Sequence, residues 1–136
     1  MGDAAIVLRV GAVGLADDLL RRSGWCHYEI ANWAAGGGPR RESRHNLHYW
    51  HNERYLGVGA GATTYDGHWR ATHLADPAAY IAAVETGEPV LAEREETPSQ
   101  RQMDETLMLG LRLTRGVDRG LFAERFGQEL ESCYGE

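Results

Sequence analysis

Between Arg44 and Glu53 the sequence reads RHNLHYWHNE, and three of the chain's six histidines fall there. A neutral imidazole nitrogen carries a lone pair that can bind a metal, and histidine is a common axial ligand of heme iron. Tyr49 and Trp50 add flat rings able to stack on a porphyrin while offering a polar edge. Arg40, Arg41 and Arg44 lie beside them, and their forked donors suit porphyrin carboxylates. Heme binding is therefore one chemistry open to this segment, although spacing alone does not rank His45, His48 and His51 as ligands. A solvated aromatic turn is the commoner occurrence for residues of these types. Zinc is disfavoured, because at i, i+3 and i+6 of a helix the third side chain swings away from the first. No cysteine follows at zinc-finger spacing either.

The glycine-rich run Gly57 to Ala62, GVGAGA, matches the dinucleotide fingerprint G-x-G-x-x-A. That fingerprint follows a full buried strand and opens a helix. Here a short strand precedes it and TTYDG follows, so a tight bend or a close backbone approach is the expected role. No G-x-S-x-G elbow occurs. Asp66, Asp76, Glu85 and Glu88 read as caps and solvated faces and not as an acid pair.

The elements that must position these residues follow from local pattern. Ala16 to Arg22 is expected to be a helix stopped by Gly24, while residues 1–14 carry no clear signal. His27 to Trp33 alternates as a strand, and the following AAGGGPRR is a loop. RHNLHYWHNE is expected as a short helix or turn, YLGVGAGATTY as a short strand entering a bend, and GHWRATHL as its hairpin partner. Asp76 and Pro77 supply an N-cap and first-turn proline to a helix ended by Gly87. Thr97-Pro98-Ser99-Gln100 reads as a capping box opening a helix to about Arg115, with Met103, Leu107 and Leu111 as its apolar stripe. Asp118 caps a last helix closed by Gly127. The charged, turn-rich stretch from Pro89 to Glu96 is the expected boundary between a mixed part, 1–96, and an all-helical part, 97–136. The chain stops directly after a helix, which suits a truncated second part.

Composition narrows the classes. With 136 residues, 43% of them hydrophobic and 25% charged, the chain suits one soluble domain. No apolar run approaches the roughly 20 residues of a membrane span, and no basic region precedes the short apolar patch near Met1, so a cytosolic setting is expected. A net charge of −6 argues against a general nucleic-acid binder. All 14 basic residues are arginine, which excludes P-loop, Schiff-base and pyridoxal-phosphate lysine chemistry within this chain. The two cysteines, Cys26 and Cys133, are too few for an ordinary iron–sulfur centre.

The blocks YEIANWA, ESRHNLHYW, YLGVGAGATTY, HLADPAAYIAAVETG and RQMDETLMLGLRLTRGVD, in that order, resemble the C-terminal stretch of the HemW-like proteins of the radical S-adenosylmethionine superfamily. These are relatives of oxygen-independent coproporphyrinogen III oxidase. The likeness covers roughly Leu15 to Tyr134, and the family motif H-N-x-x-Y-W is met by His45, Asn46, Tyr49 and Trp50. That resemblance implies an α/β class, with the last elements of a partial barrel followed by the start of a small helical domain. It implies heme as ligand, His45 as the residue at the iron, Asn46, Tyr49, Trp50 and Arg44 around it, and a heme-accepting protein as partner. It also implies a 4Fe–4S cluster and S-adenosylmethionine in the complete protein, held upstream by a C-x-x-x-C-x-x-C motif this chain lacks. Where the family has G-A-H-S, this sequence has Gly61-Ala62-Thr63-Thr64. Coproporphyrinogen III oxidation is the enzymatic alternative, and a non-catalytic interaction module is the third. A piece of a barrel leaves edges and an apolar layer uncovered, so a homodimer or soluble aggregate, or else marginal stability as a monomer, is expected.

Overall fold

In this computed structural model the described residues are 3–36 and 41–135, with side chains described from residue 13 onward. The elements in chain order are α1 (Asp3–Arg22), β1 (Trp25–Glu29), β2 (Asn32–Ala35), α2 (Arg44–Trp50), β3 (Thr63–Tyr65), β4 (Trp69–His73), α3 (Pro77–Thr86), β5 (Leu91–Glu96), α4 (Ser99–Gly110), α5 (Arg119–Phe126) and α6 (Leu130–Tyr134). The class is mixed α/β, as expected. Its strands form two small antiparallel sheets, β1-β2 and β3-β4-β5.

Several elements depart from the sequence reading. Helix α1 starts at Asp3, so the stretch that carried no signal is helical from that residue onward. The run His27 to Trp33 is a hairpin bent at Ile30-Ala31, and not one strand. Its cause is Glu29, fully buried, whose carboxylate accepts the Ala31 backbone N–H at 2.9 Å and the Asn32 side-chain amide. A bulge between His27 and Glu29 turns the consecutive Tyr28 and Glu29 both inward, which breaks the two-residue period. The charged stretch near residue 90 forms β5, paired along β4 from Trp69↔Glu96 to His73↔Leu91. Charge hid it, because at this sheet edge most of its side chains are exposed.

The capping box at Thr97 does not form. Pro98 is the N-cap of α4 without a side-chain bond, and the Thr97 carbonyl instead accepts from Gln102 Nε2 at 2.7 Å. Helix α4 ends at Gly110, short of Arg115, and buries Met103, Thr106 and Gly110 while Leu111 is exposed. Gly110 sits under Val117, whose Cγ2 would lie 2.6 Å from an added Cβ. The Asp76 cap with Pro77, the Gly87 stop, the Asp118 cap and the Gly127 stop are all present. After Gly57 to Ala62 comes β3 and not a helix. Gly57 serves a close approach, since an added Cβ would meet the Thr63 carbonyl oxygen at 2.3 Å.

Tyr28, Tyr65, Met103, Leu113 and Phe122 are each buried, and they come from β1, β3, α4, the segment after it and α5. The end of β1 joins that segment through Ile30 N–H to Arg112 O and Thr114 N–H to Tyr28 O, both at 3.0 Å. Tyr28 Oη accepts from the Ser43 N–H at 3.3 Å, which fixes the entrance to α2. Among the described residues no helix is long and apolar enough to cross a membrane.

Candidate functional site

Helix α2 starts at Ser43, an extended N-cap whose hydroxyl accepts the Asn46 N–H. It ends where Asn52, 4% exposed, takes the left-handed conformation at φ 51. Asparagine tolerates that conformation well, and it is the common way to terminate a helix without glycine. Two side-chain pairs four residues apart then share faces. His45 meets Tyr49 edge to face at 5.1 Å between centroids. Asn46 and Trp50 line a groove of about 430 Å³ together with Tyr49, Tyr55 and Arg70. Of the flanking arginines, Arg41 and Arg44 are exposed, and Arg40 lies outside the described residues.

The three clustered histidines have different surroundings. His48 is occupied at both nitrogens, with Nδ1 2.5 Å from Glu53 Oε2 and Nε2 2.6 Å from the Arg54 carbonyl oxygen. His51 has Nδ1 3.6 Å from Glu53 Oε1 and Nε2 3.4 Å from Arg115 Nη2. His45 is exposed and makes no hydrogen bond or ion pair with any described residue; its ring touches Tyr49. The remaining histidines are also engaged: His27 with Asp17 and Ile30 O, His68 with Glu96, His73 with Gly59 O. A ligand nitrogen must offer its lone pair outward, and His45 meets that condition among the described residues. No group of three metal-binding side chains converges among them.

The aromatic surroundings of α2 are built from distant parts of the chain. Tyr49 contacts Tyr55 at 5.0 Å, and Tyr55 contacts Tyr65 at 6.1 Å. Tyr65 is fully buried, and burial pushes its phenol above the usual range. Arg70, over the Tyr65 ring at 5.0 Å, grips Glu105 with two bonds of 3.1 and 2.9 Å. Those bonds hold the Glu105 carboxyl below its ordinary range despite partial burial. The Arg112 guanidinium lies 4.1 Å over the Trp50 ring, and its Nη2 is 3.5 Å from Glu29 Oε2. A larger groove of about 780 Å³ opens between α2, α4 and α5, with Trp50, His51, Val117, Phe122 and Arg125 in its walls.

So the structure brings Asn46, Tyr49 and Trp50 to one groove and sets His45 beside Tyr49, while neither His45 nor Arg44 lines either groove. Tyr55, Asn52, Arg112, Glu29 and Arg125 were not legible as site residues. Of these, Asn52 alone had a signal, a left-handed former directly after a short helical run.

An exposed imidazole beside an aromatic wall fits a porphyrin-bound metal. Cys26 is exposed, Cys133 is part-exposed, and both are free. Residues 98–136 match the HemN C-terminal domain family. The chain is 41% identical to the heme chaperone HemW of Bacillus subtilis over 79% of its own length and 27% of that protein. It is 38% identical to the heme chaperone HemW of Lactococcus lactis over 88% of its length and 30% of that protein. The chain resembles the C-terminal part of the HemW-like proteins. It spans less than a third of the length of these curated HemW relatives. A mitochondrial radical S-adenosyl methionine domain-containing protein 1 of Danio rerio matches at 29% identity over 73% of the chain and 23% of that protein, in line with a radical S-adenosylmethionine relationship for the HemW-like stretch. No solved structure matches the chain significantly.

Proposed function

We propose that this chain is the heme-binding C-terminal portion of a HemW-like protein that delivers heme to an acceptor protein in the cytosol, with His45 at the iron. The observation that carries this reading is the His45 ring, which makes no polar contact with any described residue while its neighbours His48 and His51 are engaged. Asn46, Tyr49, Trp50 and the exposed Arg44 make up the rest of the site. Heme is cargo here: the chain's part is to hold an imidazole outward and to back it with rings. Delivery rather than porphyrinogen oxidation is supported by the heme-chaperone names of the bacterial relatives. In the complete protein a 4Fe–4S cluster and S-adenosylmethionine would be held by residues outside this chain.

The division into 1–96 and 97–136 belongs to the same reading. It is supported by the end of β5 at Glu96 and by the start of the HemN-domain match at residue 98. Self-association is its last part, supported by the exposed apolar side chains Leu15 and Leu19 on α1 and Ile81 and Val84 on α3. The deciding experiment is titration of hemin into the chain, followed by transfer to an apo-heme protein. A shifted Soret band that decays as the acceptor's band grows is the expected result. Hemin that gives only its free spectrum overturns the proposal.

A further inference from the structure

We infer that Arg112 is a positioning residue for the Trp50 indole, and through it for the aromatic wall of the site; the link to heme rests on the function proposed above. The indole has no polar anchor of its own, because Trp50 Nε1 is buried without a hydrogen-bond partner among the described residues. An indole N–H inside a protein ordinarily finds an acceptor, and that bond would fix the ring's rotation. What holds this ring instead is the guanidinium 4.1 Å above its face. The guanidinium is itself placed from behind. Its Nη2 reaches Glu29, whose side chain is fully buried and whose other oxygen is taken by the Ala31 N–H and the Asn32 amide.

Arg112 Nε is likewise buried without a partner, so the plane of the guanidinium answers to Glu29 on one side and Trp50 on the other. The Arg112 backbone adds a second restraint, since its carbonyl accepts the Ile30 N–H at 3.0 Å. The bulged end of β1 thus supplies a carboxylate, the segment after α4 supplies a flat cation, and α2 supplies the ring. Lysine could keep the charge but not the flat stack.

The test uses the whole chain labelled with 5-fluorotryptophan, whose four indoles give separate fluorine signals, with Trp50 assigned by Trp50→Phe. Arg112→Met alone would leave the Glu29 charge buried without its partner and could unfold the chain. It is therefore made together with Glu29→Gln, with Arg112→Lys alone as the second variant. In both, the Trp50 signal is expected to move and broaden while those of Trp25, Trp33 and Trp69 stay in place. Hemin affinity is expected to fall about three- to tenfold, the scale of a partly desolvated cation–π contact, with the Soret maximum unchanged because the iron ligand is untouched. An unmoved Trp50 signal in both folded variants overturns the inference. So does an affinity loss accompanied by a changed Soret maximum. If the unsubstituted chain binds no hemin, the functional reading fails, while the fluorine signal still decides whether Arg112 sets the ring.

Discussion

Arg125 on α5 donates from Nη1 to the carbonyl oxygen of Asn52 at 2.8 Å, where the chain leaves α2 in a left-handed turn. Asn52 also donates from Nδ2 to Thr106 Oγ1 at 3.0 Å, so the exit of α2 is tied to both α4 and α5. Arg125→Ala should lower stability by about 1–3 kcal/mol, the worth of a charge-assisted bond to a part-buried acceptor. Asn52→Gly keeps the permitted backbone but loses the Thr106 bond, and should cost less than Asn52→Ala, which loses both. Urea unfolding of the three variants checks the order.

His45→Ala should weaken hemin binding on the order of tenfold or more, about 1.4 kcal/mol or above, and abolish the Soret shift. His48→Ala should keep the shift, because that ring is committed to Glu53 and the Arg54 carbonyl. A Soret shift that survives His45→Ala and disappears in His48→Ala would transfer the ligand role.

Tyr134 Oη donates to Asp104 Oδ1 and docks α6 on α4. Partial desolvation, reinforced by this carboxylate, pushes the Tyr134 phenol up to about 12, while its hydrogen bond holds the Asp104 carboxyl below the ordinary 3.8. The signs follow from which state binds the proton. The tyrosine's contribution is complete below pH about 10, its unfolded value, and is lost as pH rises through about 12. The carboxylate's contribution is present above 3.8 and is lost as pH falls through its lower folded value. Tyr134→Phe should remove the latest resolved step near pH 12 in a tyrosinate absorbance titration and flatten the acid limb of the stability curve.

Gly57→Ala should destabilise by about 1–3 kcal/mol, as overpacking does, because the added methyl would meet the Thr63 carbonyl. Ala60→Gly, at an exposed position of the same run, should change little. Thermal melts of the two variants separate a close backbone approach from general loop flexibility.

Sedimentation velocity across a concentration series should show reversible association. Leu15→Ser with Leu19→Ser should reduce it, since both leucines are exposed on α1. A monomer at every concentration contradicts self-association.

What was readable beforehand was local. Asp76, Gly87, Asp118 and Gly127 each act within one turn of their own position, and their roles were plain from type and spacing. Glu29 was not readable, since nothing in YEIAN says that a carboxylate will be buried and answered by an arginine over eighty positions later. The failure of the capping box at Thr97 has the same origin: the threonine is drawn fully into the interior, and tertiary burial overrides the cap. Residue types singled out the HNLHYW segment as a candidate, and the family resemblance supplied its H-N-x-x-Y-W motif. The difference between His45 and His48 depends on Glu53 and Arg54 folding back against the helix, which spacing does not encode.

The backbone bridge between Glu29 and Leu113 fastens the two ends of a long stretch that includes α2. Protein synthesis runs from the N-terminus, so a growing chain has made all of α2 well before Arg112 exists to cover Trp50. Closing so long a loop also carries an entropic cost that grows with its length. The histidine-bearing helix is therefore translated before the residue that covers its indole. Connectivity alone makes the backing of Trp50 a later product of the nascent chain than the ring it covers.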